Sequence, residues 1–179
     1  MSIVKLVQKA TKAPKDVRDL QTAIIVSEDS VLALKSACKE DERCVDDVAR
    51  YLLLDLANRS PIVRLKALGV IDSLFFRSKI FRKAISSNIR SVAECAGFLG
   101  GKPINCQSHR ELLEHRVKEL LELWDNYYGE YFPEIRALTR HMREFLRLTM
   151  PNINVSHVLY NFISSRHQVT CQIILRGKC

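Results

Sequence analysis

The chain has 179 residues, 47% of them apolar and 27% charged, with only six glycines and five prolines. That is enough chain for one domain with a sizeable core and too apolar for a disordered one, and no apolar run approaches the roughly 20 residues of a membrane-spanning helix. The formal charge is +8, but it is uneven: 25 of the 28 basic residues and all 20 acidic ones precede Pro151, a balance of +5, and the last 29 residues carry +3 with no acid. Such a balance favours an acidic partner without choosing between a protein surface and nucleic acid.

Helical spacing dominates the first 150 residues. A first helix over about Ile3–Ala13 places Ile3, Val7 and Ala10 on one side and stops before Pro14. A second, about Pro14–Val26, starts with proline where a missing N–H costs nothing. Ser30 or Asp29 is positioned to cap a short helix through Cys38. Between Asp41 and Asn58, apolar residues at Val45, Val48, Ala49, Leu52 and Leu56 define one helix face, and Leu53, Leu54 and Ala57 widen it.

Ser60-Pro61 combines an N-cap with proline at the first helical position. The helix behind it has a stripe of Ile62, Leu65, Leu68, Ile71 and Phe75, which leaves Arg64, Lys66 and Asp72 for the outer side. Ser78 caps a further helix that buries Phe81, Ile85, Ile89, Val92 and Ala96, and Gly97 with Gly100-Gly101 ends it. After a loop, Ser108 to Glu111 reads as a capping box. The long helix that follows buries Leu113, Val117, Leu120, Leu121 and Trp124 and ends at Gly129. The last helix, about Phe132–Thr149, buries Ile135, Leu138, Met142, Phe145 and Leu146 and is terminated by Pro151.

The pattern therefore predicts an all-α fold of seven or eight helices over residues 1–150. Its wide apolar arcs suit a stacked helical superhelix better than a four-helix bundle. Residues 151–179 show neither helical periodicity nor a cap, and are expected to form an irregular tail.

No catalytic arrangement is visible. The five histidines lack a His or Cys partner at metal-ligand spacing, and Gly97–Gly101 lacks the lysine and hydroxyl of a phosphate-binding loop. No serine or cysteine sits on a nucleophile elbow. His115 and Glu119 read as an ion pair on one helix face. The six cysteines form no CxxC pair and no secretory leader is apparent, so reduced thiols in the cytosol or nucleus are expected. No cofactor, metal or small-molecule substrate is predicted.

Basic residues supply the candidate contacts. Arg136, Arg140, Arg143 and Arg147 step by four, three and four residues and so line one strip of the last helix, able to grip carboxylates or phosphates or merely to face solvent. Arg77, Lys79, Arg82 and Lys83 cluster around a helix–helix turn. Trp124 is at a core position, yet with Tyr127, Tyr128 and Tyr131 it crowds one helix end, as interaction hot spots do.

Three stretches resemble the UV-stimulated scaffold protein A family: Leu34 to Lys39; Val63 to Leu68 continued by Leu74 to Arg82; and Trp124 to Tyr131, with Phe145 to Asn152 similar to the family's exit from the domain. The resemblance implies a right-handed VHS/ENTH-like superhelix, a nuclear, chromosome-associated protein and a scaffold role in transcription-coupled nucleotide excision repair. The implied partners are the Cockayne syndrome A adaptor and the stalled RNA polymerase II elongation complex, with ubiquitin a further candidate. Contacts would include some of Arg64, Arg77, Arg82 and Trp124. Direct nucleic-acid or membrane binding is not expected. A reader of polymerase tail phosphopeptides and an endosomal sorting adaptor are alternatives on a similar fold. The family's TFIIH-contacting and zinc-binding regions have no counterpart here, and His157–Cys179 matches nothing recognisable in it, so docking without TFIIH recruitment is the expectation.

Overall fold

In the computed structural model the structure describes residues 2–14, 23–101 and 103–149, with side chains through Glu144. Among these the chain forms eight α-helices and no strand: α1 (Ile3–Thr11), α2 (Glu28–Glu40), α3 (Arg43–Leu56), α4 (Pro61–Phe75), α5 (Lys79–Ser86), α6 (Ile89–Glu94), α7 (Gln107–Tyr128) and α8 (Pro133–Thr149), with one 3-10 turn at Phe98–Gly100. The chain divides into two units, Met1–Met142 and Arg143–Cys179; all that follows on packing concerns the first. The helix expected over Pro14–Val26 lies largely outside the described residues, as do the tail and the side chains of Phe145 and Leu146.

α4 is the axis of the unit, touching α1, α2, α3, α5 and α7. Its sequence explains this: Ile62, Leu65, Ala67, Leu68, Val70, Ile71, Leu74 and Phe75 are all buried, and they occupy every side of the helix rather than one stripe. The other helices each present one face. Leu6, Val7 and Ala10 of α1 are buried, as are Val45, Val48, Ala49, Leu52 and Leu56 of α3 and Leu113, Val117, Leu120, Leu121 and Trp124 of α7. α3 leans on α1, α2, α4, α5 and α6, yet Leu54 is 61% exposed, so its widened apolar arc is only partly used.

Local chemistry moved several expected boundaries. The helix predicted from Ser78 does begin with Ser78 Oγ accepting from the Phe81 N–H at 3.2 Å. It then breaks at Ser87-Asn88 instead of running to Ala96. There the side chains bond back to the chain, Ser87 Oγ donating to the Lys83 carbonyl and Asn88 Nδ2 to that of Ala84, which offers the backbone an alternative to helix continuation. All five residues expected in its core are nevertheless buried.

The predicted capping box at Ser108 to Glu111 does not form. α7 starts two residues earlier, with Cys106 as N-cap, and Glu111 accepts instead from Gln107 Nε2 at 2.8 Å. Likewise Ser27, not Ser30 or Asp29, precedes α2, and Ser30 is buried within its first turn. Gly129 ends α7 for a reason other than left-handed backbone. Its φ is −61°, and a Cβ there would lie 2.0 Å from Asp125 Oδ1 and 2.6 Å from the Asp125 carbonyl, so only glycine permits that approach.

Candidate partner-binding surface

Two of the residues singled out from the sequence are inside the fold. Arg64, expected on the outer side of its helix, is 2% exposed. Its Nε donates to the Asn58 carbonyl at 2.5 Å and its Nη1 to that of Cys95 at 2.9 Å. It thus ties the α3–α4 turn to the end of α6. A side chain so placed cannot touch a partner unless the domain opens, which removes it from a contact surface. The alternation that pointed it outward fails because α4 is packed on all sides.

Trp124 is 0% exposed. Its ring stacks on Phe75, centroids 4.1 Å apart and planes 12° from parallel, joining α7 to α4. Of its two sequence readings, the structure takes the core one.

Around this stack the chain builds an exposed rim, where the end of α4, the start of α5 and the end of α7 converge. The Phe75 ring meets Tyr128 edge-on at 5.7 Å, and half-buried Phe76 meets Tyr127 at 5.6 Å with planes at 86°. Tyr127 itself is 64% exposed, and Tyr131 in the following turn 77%. Arg82 holds the seam: its Nη1 donates to the Phe75 carbonyl at 2.8 Å, and its guanidinium lies 4.4 Å from the centre of the Tyr128 ring, where the electron-rich face attracts a cation. Arg77, next to Phe76 in the chain, and Lys79 and Lys83 of α5, the helix that carries Arg82, are exposed. Half-buried Lys35 of α2 is close enough to Arg77 to feel it; burial, and then the Arg77 charge, lower the Lys35 pKa, partly opposed by Glu28. Arg77, Lys79 and Arg82 thus lie along the α4–α5 turn and the first turn of α5. To these the structure adds Phe76 and Lys35, which the sequence reading did not place among the contacts, and from the aromatic cluster at the end of α7 it exposes Tyr127 while burying Trp124. The signal for Tyr127 and Phe76 was the pairing of aromatic residues at the ends of two helices.

The arginine strip of α8 is less uniform than its spacing suggests. Arg136 pairs with Asp125 of α7 at 3.4 Å, while Arg140 and Arg143 are exposed and the Arg147 side chain lies outside the described residues. α8 packs on α7 through Thr139, whose hydroxyl donates to the carbonyls of Ile135 and Leu121.

The remaining reactive groups are dispersed. His115 and Glu119 do form the expected i, i+4 pair, at 3.5 Å. Among the described residues no group of three His, Cys, Asp or Glu side chains could hold a metal. An open groove of about 560 Å³ lies where α3 faces α5 and the α5–α6 turn, lined by Leu53, Leu54, Ala84 and Asn88 among others.

The fold and these side chains define an all-helical domain whose concentrated chemistry is an exposed aromatic–basic rim over a packed aromatic stack. The chain belongs to the family described as the UVSSA N-terminal domain, which matches residues 12–146. It is 25% identical over 178 residues to the UV-stimulated scaffold protein A homolog of Arabidopsis thaliana, an alignment covering 98% of this chain and so extending into residues 151–179. It is 24% identical to UV-stimulated scaffold protein A of Mus musculus over 127 residues, 70% of this chain, and 24% identical to that of Rattus norvegicus over 124 residues, 68% of this chain. The chain spans 26% of the plant relative's length and 18% and 17% of the rodent ones.

Proposed function

We propose that this chain is the docking domain of a scaffold in the cellular response to UV damage, acting by protein–protein contact and without catalysis. The relatives are named as UV-stimulated scaffold proteins, and the match covers the domain described above. The observation that supports docking most directly is the rim of Phe76, Tyr127 and Tyr131 flanked by Arg77, Lys79 and Arg82. Tyrosine and arginine are the residue types enriched at protein interfaces, and exposed aromatic side chains braced by neighbours lose little freedom on binding.

On this reading the partners are the Cockayne syndrome A adaptor and the stalled RNA polymerase II elongation complex, in transcription-coupled nucleotide excision repair, and the domain works in the nucleus on chromosomes. Ubiquitin is a further ligand to test. The helices form the VHS/ENTH-like superhelix of that class, with no cofactor or small-molecule substrate. The test is a pull-down with the full chain as bait, against purified Cockayne syndrome A adaptor and elongating polymerase. Recovery of either supports the assignment; recovery of neither overturns it.

A further inference from the structure

The rim has a chemistry that says what kind of surface it takes. Arg77, Lys79 and Lys83 are exposed, and among the described residues none of them is paired with a carboxylate. Lys79 and Lys83 are one helical turn apart on α5, so both ammonium groups rise from one face. Arg77 is near enough to half-buried Lys35 to disfavour its charged form. Like charges held together beside apolar rings are unfavourable in the free domain, and a bound anion relieves that repulsion.

The rings are prepared as well. Tyr127 is largely exposed but backed edge-on by Phe76, and Tyr128 is clamped beneath the Arg82 guanidinium. A flat apolar anchor can therefore settle there without first ordering the platform.

We infer that Phe76, Arg77, Lys79, Lys83 and Tyr127 form a site for a short acidic segment of a partner protein, which sets an aromatic or large apolar side chain on the Tyr127–Phe76 rings and aims carboxylates at the flanking cations. This rests on the docking reading and adds the chemistry of the occupant. Aromatic rings beside cations also suit single-stranded nucleic acid. The favourable field here is short, however. Glu130 and Glu134 are exposed in and just after the turn that follows Tyr128, so a continuous phosphate backbone would leave the cations and meet carboxylates. A segment with a few acids around one anchor has no such conflict.

The probe is a fluorescein-labelled peptide with one phenylalanine flanked on both sides by glutamates, titrated with the full chain and followed by anisotropy. Its controls are the same peptide with glutamines for glutamates, and oligothymidylate. Saturable binding is expected, with the glutamine peptide, Arg77→Glu and Tyr127→Ala each weakening it about tenfold, the scale of a single hot-spot contact. Binding should also weaken as salt rises. Both replaced side chains are exposed, so thermal unfolding of the variants should match the parent chain. Absence of saturable binding, equal binding of the glutamine peptide, indifference to both substitutions, or tighter binding of oligothymidylate would each overturn the inference.

The pull-down separates the two claims. If parent chain and Arg77→Glu recover the partner complex equally, the acidic-segment site is wrong and docking stands. If the parent recovers nothing, docking itself fails, and the titration alone judges the rim.

Discussion

Exchanging Arg64 for methionine should destabilise the domain without touching its outer surface. The guanidinium spans two carbonyls that belong to different parts of the chain, Asn58 before α4 and Cys95 after α6, at 2.5 and 2.9 Å. Methionine has comparable length and fills much of the space, but it leaves both oxygens without that donor. Each lost bond from a charged donor is worth about 1.5–3 kcal/mol. Part of this is offset because a buried charge no longer has to be desolvated, a cost of several kcal/mol. A net loss of about 2–4 kcal/mol follows, and at roughly 2–4 °C per kcal/mol for a chain of this size the midpoint should fall by about 4–16 °C. Thermal unfolding followed by far-UV circular dichroism measures it directly. Arg64→Lys should restore only part of the loss, because an ammonium cannot reach both carbonyls in the forked geometry of a guanidinium. A midpoint within about 2 °C of the parent, together with lost partner recovery, would refute the reasoning and return Arg64 to the contact surface.

Three further outcomes are expected. Trp124→Ala should cost about 3–5 kcal/mol, because it empties a fully buried site and unstacks Phe75; urea unfolding checks it, and a loss below about 1 kcal/mol would show that α7 is not anchored there. Thiol alkylation mapped by mass spectrometry should rank Cys106 ahead of Cys95: the Ser108 hydroxyl and the His109 N–H lower the exposed Cys106 thiol below its ordinary pKa, whereas burial pushes Cys95 up to about 12, and the thiolate is the reactive species. The Glu119 side chain raises the pKa of His115, chiefly by hydrogen bonding. A group raised in the folded state stabilises fully below its unfolded pKa and loses that contribution as pH rises through the folded one. The stability advantage of the parent over His115→Gln should therefore shrink from acid to mildly alkaline pH; an advantage that grew with pH would contradict the pairing.

The helical faces of α3 and α7 were legible as sequence because each packs on one side, so period-3.6 spacing maps onto burial nearly residue by residue. The same arithmetic misplaced Arg64, since α4 is surrounded and has no outer face to give. It also anticipated one helix where Ser87 and Asn88 bond back to the chain and make two. Tyr127 shows the opposite limit: periodicity gives the direction of a side chain, but not where the neighbouring helix stops covering it.

Sequence by itself determined that the domain is helical, where most of its helices lie and which residues fill its core, because apolar spacing, proline at a helix start and glycine at a helix end are local requirements. Only the tertiary structure decided which charges are internal and which are available. Arg64 and Arg82 are both arginines near helix starts in basic stretches. One is sealed between two turns and the other caps an exposed aromatic rim, a difference set by the packing of residues far apart in the chain.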